Sequence, residues 1–364
     1  MSSNRRLPPP PPEEGRFEFP LEEGLTQKDV AILIEMRERY VARSEGGIHG
    51  PLERSWLGAR ELALYDATFG ARIGWKWSVV LAEVEQRAIT PPRGTILDWG
   101  CGSGVAARAW IERFGAEGQR VLLFDTSKAA RSFASRALKT RWPALDVVEL
   151  EAPPTKPVDV LLVSHVISEL EDPTFDALVD IAAKSHFVAW VEPGSREIAQ
   201  KLVLARERLR DELAVLAPCT HTALCGLLGA NRGNDWCHHH GAPAPEAFTT
   251  RLWNQVAKEV GIDLRSLAYS FLVLGRGPRP VHDARDGRIL GRPRVEKGRA
   301  LLDVCRAEGV STLRFLERTD KAFFRALDDA PKRARLHRFE AAGDRIESIA
   351  DMPVPAPWFP TKRD

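Results

Sequence analysis

The nine residues Ile96-Leu97-Asp98-Trp99-Gly100-Cys101-Gly102-Ser103-Gly104 constrain the fold more than any other part of the chain. They run from an apolar, β-prone segment into the helical pattern that opens at Val105. Glycines at 100, 102 and 104 mark a turn whose backbone N–H groups point outward and whose missing side chains let a ligand come close. From Thr95 onward strand and helix patterns alternate: Thr95–Trp99, Val105–Phe114, Val121–Phe124, Lys128–Trp142, Val158–Val163, Pro173–Ala183, Phe187–Val191 and Glu197–Leu216. Short, continuously apolar strands in βαβα order predict an α/β, doubly wound sheet buried on both faces. A helix over Phe248–Val260 and a strand over Leu267–Leu274 would complete it.

A glycine-rich turn alone is weak evidence, and its nearest rival is a dinucleotide-binding loop. There a third glycine would stand three residues after the second, but that place is Val105. Asp98 followed by G-x-G-x-G resembles instead the motif of class I S-adenosylmethionine-dependent methyltransferases, which implies a Rossmann-like fold with the acidic residue near the cofactor's charged end. Asp125, closing the next strand about 20 residues downstream, suits the ribose hydroxyls. The expected cofactor residues are therefore Asp98, Gly100, Gly102, Gly104, Asp125 and, at the end of the fourth strand, Ser164. Chemistry should show at that strand end, yet it reads Ser164-His165-Val166-Ile167. The Asp/Asn-Pro-Pro-aromatic signature of amino-directed nucleic-acid enzymes is absent, and the only Pro-Cys, Pro218-Cys219, comes too late for a cytosine-type thiolate nucleophile. His165 is the one candidate general base, with a packing role or an adenine contact as the plainer reading.

The remaining chain divides by composition. Residues 1–24, with prolines at 8–12, read as a tail too poor in apolar groups to order itself. Residues 25–90 carry apolar positions at helical spacing, broken at Gly46-Gly47 and Gly50-Pro51. Residues 91–276 form the methyltransferase-like domain, including a Cys-, His- and Gly-rich insertion over 217–245. Residues 277–364 read as a basic linker, short strands and a Pro-rich tail. The balance of 52 Lys+Arg against 50 Asp+Glu leaves any nucleic-acid surface to local clustering. Neither a signal peptide nor a roughly 20-residue apolar span is seen, so a soluble, cytoplasmic chain, monomeric when free, is expected.

Four of the five cysteines lie beyond residue 218. Cys219, Cys225 and Cys237, flanked by His221 and His238, share the insertion, and Cys305 follows later; four thiols suit a zinc ion or a [4Fe-4S] cluster, and spacing does not separate the two. Cys101 reads as a packing residue. The pieces Asp98–Gly104, Ser164–Leu170, Val191-Glu192-Pro193-Gly194, Pro-Cys-x-His through Asp-Trp-Cys-His, and Gly298–Cys305 together resemble the methyltransferase-like proteins of the small ribosomal subunit, found in bacteria and mitochondria, which act in subunit assembly. The resemblance implies a [4Fe-4S] cluster on Cys219, Cys225, Cys237 and Cys305, and small-subunit rRNA as partner. Independently, Arg276, Arg279, Arg285, Arg288, Arg292, Arg294, Lys297 and Arg299, with Lys332, Arg333, Arg335 and Arg338, form basic groups able to neutralise phosphates, or simply to solvate a linker. The other readings are an active rRNA methyltransferase and a zinc-containing methyltransferase for a small molecule or protein.

Overall fold

The computed structural model describes residues 24–44, 58–228, 235–265, 267–327, 329 and 335–361. The expected tail, apart from Gly24, and the turns at 46–47 and 50–51 lie outside the described residues. Helix α1 (Gln27–Ser44) precedes α2 (Ala59–Tyr65), which runs through a π-helical segment, Asp66–Gly70, into α3 (Ala71–Gln86). The apolar stripe of α3, Ile73, Trp77, Val80, Leu81 and Val84, packs on one face of the sheet that follows.

That sheet takes β1 (Thr95–Trp99), β2 (Arg120–Phe124), β3 (Asp146–Leu150), β4 (Val160–Ser164), β5 (Phe187–Pro193), β6 (Ala214–Ala217), β7 (His239–Gly241) and β8 (Leu267–Gly275). Its order is β3-β2-β1-β4-β5-β8-β6, with β7 on β8. The first five strands are mutually parallel, and β8 enters antiparallel between β5 and β6. Helices α4 (Val105–Phe114), α5 (Lys128–Arg141), α6 (Asp172–Lys184) and α7 (Arg196–Leu209) cover the two faces. Order and coverage make this the α/β, Rossmann-like fold of class I methyltransferases. The helix expected to reach Leu216 stops at Leu209. The next apolar run is β6, buried throughout, and such a run looks the same as a buried helical turn by periodicity. Short helices α8 (Glu246–Thr249) and α9 (Arg251–Gln255) lead through a π-helical turn to Val260.

Beyond the sheet the chain is not the linker with short strands that its composition suggested. Strands β9 (Asp286–Glu296), β10 (Arg299–Arg306), β11 (Gly309–Leu316), β12 (Leu336–Ala342) and β13 (Arg345–Asp351) close a barrel in the order β10-β11-β13-β12-β9. Helix α10 (Lys321–Ala326) lies between β11 and β12, and β11 pairs parallel with β13. This is the five-stranded Greek-key topology of an OB-type barrel. Alternate residues Ala300, Leu302 and Val304 on β10, and Leu313 and Phe315 on β11, fill its interior, while the outward positions carry the charges that disguised the period of two. Among the described residues no helix is long and apolar enough to cross a membrane.

A buried ionic knot joins these parts. Arg87, just past α3, donates its Nε to Glu83 Oε1 at 2.9 Å, and Arg288 of β9 donates to the same oxygen. Arg87 also bonds the carbonyls of Leu216, Pro218 and Cys219, and Arg288 that of Pro218. At the far end of the chain Trp358 packs against the α-carbons of Gly275 and Gly277 and bonds the backbone at Ala88. Glu83→Ala would leave two buried guanidiniums without a counterion, so a loss of about 3–5 kcal/mol is expected in urea unfolding. An unchanged midpoint would show that the knot does not hold the domains.

Candidate cofactor crevice and thiol pocket

The glycine loop leaves β1 through three left-handed glycines, Gly100, Gly102 and Gly104, before α4 begins. Gly100 (φ 67°) lies where a Cβ would come within 2.6 Å of Val166 Cγ1, and Gly104 (φ 81°) where one would come within 2.8 Å of Ala134 Cβ. Glycine is required at both by conformation and by space. Above Gly102 nothing stands within 4 Å of that position, which leaves the loop open on the side a ligand would approach. The Gly102 N–H donates to Asp125 Oδ2 at 2.9 Å, and the Ser127 N–H to Asp125 Oδ1 at 2.8 Å. Asp125 therefore ties the ends of β1 and β2 together, with one acceptor lone pair per oxygen to spare.

Asp98 is fully buried behind the loop. One oxygen accepts the Ala107 N–H at 3.1 Å, bracing the first turn of α4, and the other has no donor. Burial pushes its pKa up to about 7; the Ala107 N–H opposes and neighbouring Asp125 adds to the rise. The Ser103 hydroxyl and the Trp99 indole N–H are likewise buried without partners. A group bringing a positive charge or N–H donors to this loop would satisfy a carboxylate that the fold leaves half-bonded.

At the end of β4, Ser164 Oγ accepts the Trp77 indole N–H at 3.0 Å. His165 has φ 57°, an uncommon conformation for a non-glycine residue. Its Nε2 lies 2.9 Å from Lys76 Nζ. Burial pushes the imidazole well below its usual pKa, and the Lys76 charge pushes the same way, so it stands neutral. Behind it Glu192, fully buried on β5, accepts Trp190 Nε1 at 2.7 Å and the Val166 N–H at 3.1 Å. Burial raises its pKa to about 8. A cavity of about 640 Å³ opens here, lined by Tyr65, Phe69, Arg72, Lys76, His165 and Gly194 among others. The sequence reading brought together Asp98, the glycines, Asp125, Ser164 and His165, and the structure sets all of them at the carboxyl ends of β1, β2 and β4. It missed Lys76 and Glu192. The available signal was a lysine between Ile73 and Trp77 in an otherwise apolar stripe, and a glutamate ending an apolar strand.

The insertion and the barrel meet at a second pocket. Cys219, Cys225 and Cys237 border a small apolar space beside Ser270 and Phe271, and Cys305 packs with Cys237, Leu227 and Val310. His221 Nε2 lies 3.4 Å from Cys305 Sγ, and His239 Nε2 lies 3.8 Å from Cys237 Sγ. Burial raises the Cys225 thiol to about 11 and lifts Cys237 and Cys305 as well, with the other thiols adding to it. Arg206 feels Cys219 and Cys225, Arg87 feels Cys219, and Arg288 feels Cys237. As placed, no group of three or more His, Cys, Asp and Glu side chains among the described residues is arranged to hold a metal ion. The four thiols converge, therefore, without standing in ligating positions. What fits an anionic metal group is the charge around them: three buried guanidiniums and, as carboxylates in contact with them, Glu83 and Glu207. Cys101 is buried in the sheet core beside the loop.

The basic run is largely spoken for. Arg276 and Arg279 bond backbone carbonyls, Arg288 is in the knot, and Arg285, Arg294 and Arg299 pair with Asp283, Asp303 and Glu296. Arg338 pairs with Asp286 and Arg335 bonds the carbonyls of Leu327 and Asp329; Lys332 and Arg333 lie outside the described residues.

Residues 68–330 match the family described as mitochondrial small ribosomal subunit Rsm22. The chain belongs to the Rsm22 family. No curated protein matches it. Among solved structures it is similar to the magnesium protoporphyrin IX methyltransferase of Synechocystis with bound SAH, at 10% identity and TM-score 0.35 over 68% of this chain and 99% of that one. It is also similar to a SAM-dependent methyltransferase of Aquifex aeolicus (14%, TM-score 0.32, 44% and 90%) and to a precorrin-6y C5,15-methyltransferase of Geobacter metallireducens (12%, TM-score 0.33, 55% and 87%). Likenesses this distant carry no weight beside the strand order of the Rsm22-family sheet itself.

The half-bonded Asp98 gives a pH test on the ligand-free protein. A carboxyl whose folded pKa lies above its unfolded value stabilises fully below the unfolded value and progressively less as pH rises through the folded one. Asp98→Asn should thus gain in melting temperature relative to the parent between about pH 4 and pH 7. A difference that stays constant with pH would mean that the carboxyl is solvated.

Proposed function

We propose that this Rsm22-family chain binds S-adenosylmethionine at the glycine loop and acts, as a cytoplasmic monomer when free, on the small ribosomal subunit, contacting its rRNA during assembly or translation. One observation carries the reading. Within the region matched to a small-ribosomal-subunit family stands a loop with left-handed glycines, an open approach at Gly102 and a buried carboxylate oxygen lacking a donor. The cofactor's α-ammonium and ribose hydroxyls supply the donors that Asp98 and Asp125 can accept, and Gly100, Gly102, Gly104 and Ser164 border the same strand ends. The OB-type barrel supports the RNA half by analogy only, since such barrels bind oligonucleotides in other proteins.

Cys219, Cys225, Cys237 and Cys305 would hold a [4Fe-4S] cluster, with zinc as the alternative. Its role would be to tie β10 of the barrel to the insertion, with Arg87, Arg206 and Arg288 balancing the thiolates' charge.

Titration of the purified protein with S-adenosylhomocysteine in a calorimeter should show one site, lost in Gly100→Ala because the new methyl group displaces Val166. The untagged protein should co-sediment with small subunits. Absence of binding by the parent protein would remove the cofactor from the reading, and absence of co-sedimentation would remove the ribosome. Prepared without oxygen, the protein should carry about four irons and absorb broadly near roughly 400 nm. Cys225→Ser should lose the iron and melt lower. Full metal content in that variant would overturn the ligand set, and one zinc per chain would replace the cluster by the zinc site.

A further inference from the structure

We propose that Lys76, hydrogen-bonded to His165 at the floor of the 640 Å³ cavity, is the general base that takes the proton from an N–H or O–H acceptor during methyl transfer. The inference rests on the cofactor reading above and adds to it an activity, a base and an acceptor class.

The geometry is specific. The cavity lies on the β5 side of His165, and the glycine loop lies on the β1 side, where Gly100 meets Val166. A methyl donor seated on the loop and an acceptor seated in the cavity would therefore meet across the end of β4. A chain of contacts orients the base: the Trp77 indole donates to Ser164 Oγ, Ser164 Oγ lies 3.5 Å from His165 Nδ1, and His165 Nε2 lies 2.9 Å from Lys76 Nζ. The left-handed backbone of His165 is local strain, kept where the imidazole meets Lys76. Tyr65 and Phe69, with ring centroids 6.2 Å apart, line the same cavity and offer apolar faces to a planar acceptor.

A lysine can act as a base only when it is neutral. Burial, and after it Arg72 one helical turn away, lower the Lys76 pKa to about 7 against the opposing charge of Glu192 on β5. The other charged groups lining the cavity are Arg37, Glu169 and Asp263; His165 is itself neutral. Near neutral pH a large share of Lys76 therefore carries a free lone pair.

The step balances without an oxidant or reductant. S-adenosylmethionine, when bound, supplies an electrophilic methyl on a sulfonium. The acceptor's nitrogen or oxygen forms the new bond to carbon as the sulfur–carbon bond breaks and its electron pair stays on sulfur, leaving a thioether. The acceptor's proton passes to Lys76 Nζ, which becomes an ammonium, and then to water at the cavity mouth.

The test uses the full protein, labelled S-adenosylmethionine and small subunits from cells lacking this chain, between about pH 5 and pH 9. The parent should transfer label at a rate that rises with pH and levels off above about 7. Lys76→Met and Lys76→Arg should each lose about 100-fold or more in rate while keeping their affinity for S-adenosylhomocysteine. Lys76→Met keeps a neutral side chain of similar length, Lys76→Arg keeps a cation that cannot take a proton, and retained affinity for S-adenosylhomocysteine in both controls for folding. Transfer by either variant at the parental rate, or a pH-independent rate in the parent, would overturn the assignment of the base and leave the cofactor reading intact. A parent that binds S-adenosylhomocysteine and subunits but transfers nothing would overturn the activity. Failure to bind S-adenosylhomocysteine would fell the underlying reading and this inference with it.

Discussion

One carboxylate, Glu83, shared by two buried guanidiniums holds the three parts of this protein in register. Arg87 belongs to the end of α3, Arg288 to the first barrel strand, and the carbonyls they share belong to residues 216–219, which open the insertion. A charge removed from water is tolerated best when paired, and both guanidiniums converge on Glu83 Oε1 while Oε2 has no donor, so each partner's place depends on the others. One carboxylate cannot neutralise two guanidiniums. The surplus positive charge faces the thiol pocket, where Arg206 adds more and Glu207 offsets only part. Arg206 and Arg288 oppose only part of the rise in thiol pKa that burial and the neighbouring thiols impose on Cys225, Cys237 and Cys305. The architecture and the charge around the four thiols thus depend on the same arginines.

A second constraint is the shared wall between the glycine-loop crevice and the cavity. Gly100 gives up its side chain so that Val166 can lie against it, and Glu192 accepts the N–H groups of Val166 and Ile167, which follow the strained His165. The loop, the end of β4 and the end of β5 are consequently one unit: a shift in any of them breaks a buried bond in another. The thiol pocket reaches this unit through β8, where Ser270 pairs with Glu192 and its hydroxyl donates to the Cys237 carbonyl, and through Trp236. Trp236, next to Cys237, donates its indole N–H to the Gly194 carbonyl at 2.8 Å, and Gly194 lines the cavity. Ordering of the insertion therefore bears directly on the cavity wall.

The sequence was most legible where local chemistry and global fold agree. The loop from Asp98 to Gly104 could be read because left-handed glycines leave no alternative. Helix and strand alternation could be read because both faces of the sheet are buried. The barrel could not: its strands bury only every second residue, and arginines on β9 and β10 made the stretch look like a solvated linker. β6 was absorbed into a helix because four buried residues in a row carry no period. Lys76 and Glu192 escaped because their chemistry comes from burial, which a sequence does not display. Glu83 and Arg87 were visible in principle, four residues apart on a helix whose apolar positions surround them, a spacing that on an exposed helix would mean little.

The arginine-rich run shows how far clustering alone can mislead about nucleic acid. Counted in sequence it offers a row of phosphate ligands; in the fold Arg288 is inaccessible, Arg276 and Arg279 serve backbone carbonyls, and Arg294 and Arg299 face Asp303 and Glu296 on neighbouring positions of the barrel. Exposed ion pairs of this kind are worth about 1 kcal/mol or less, so a phosphate can displace the carboxylate with little net change in energy. Such an exchange swaps one anion for another and releases a counterion from the nucleic acid while freeing a carboxylate that gathers cations of its own. Binding through these residues would then weaken with salt less steeply than the number of arginines implies.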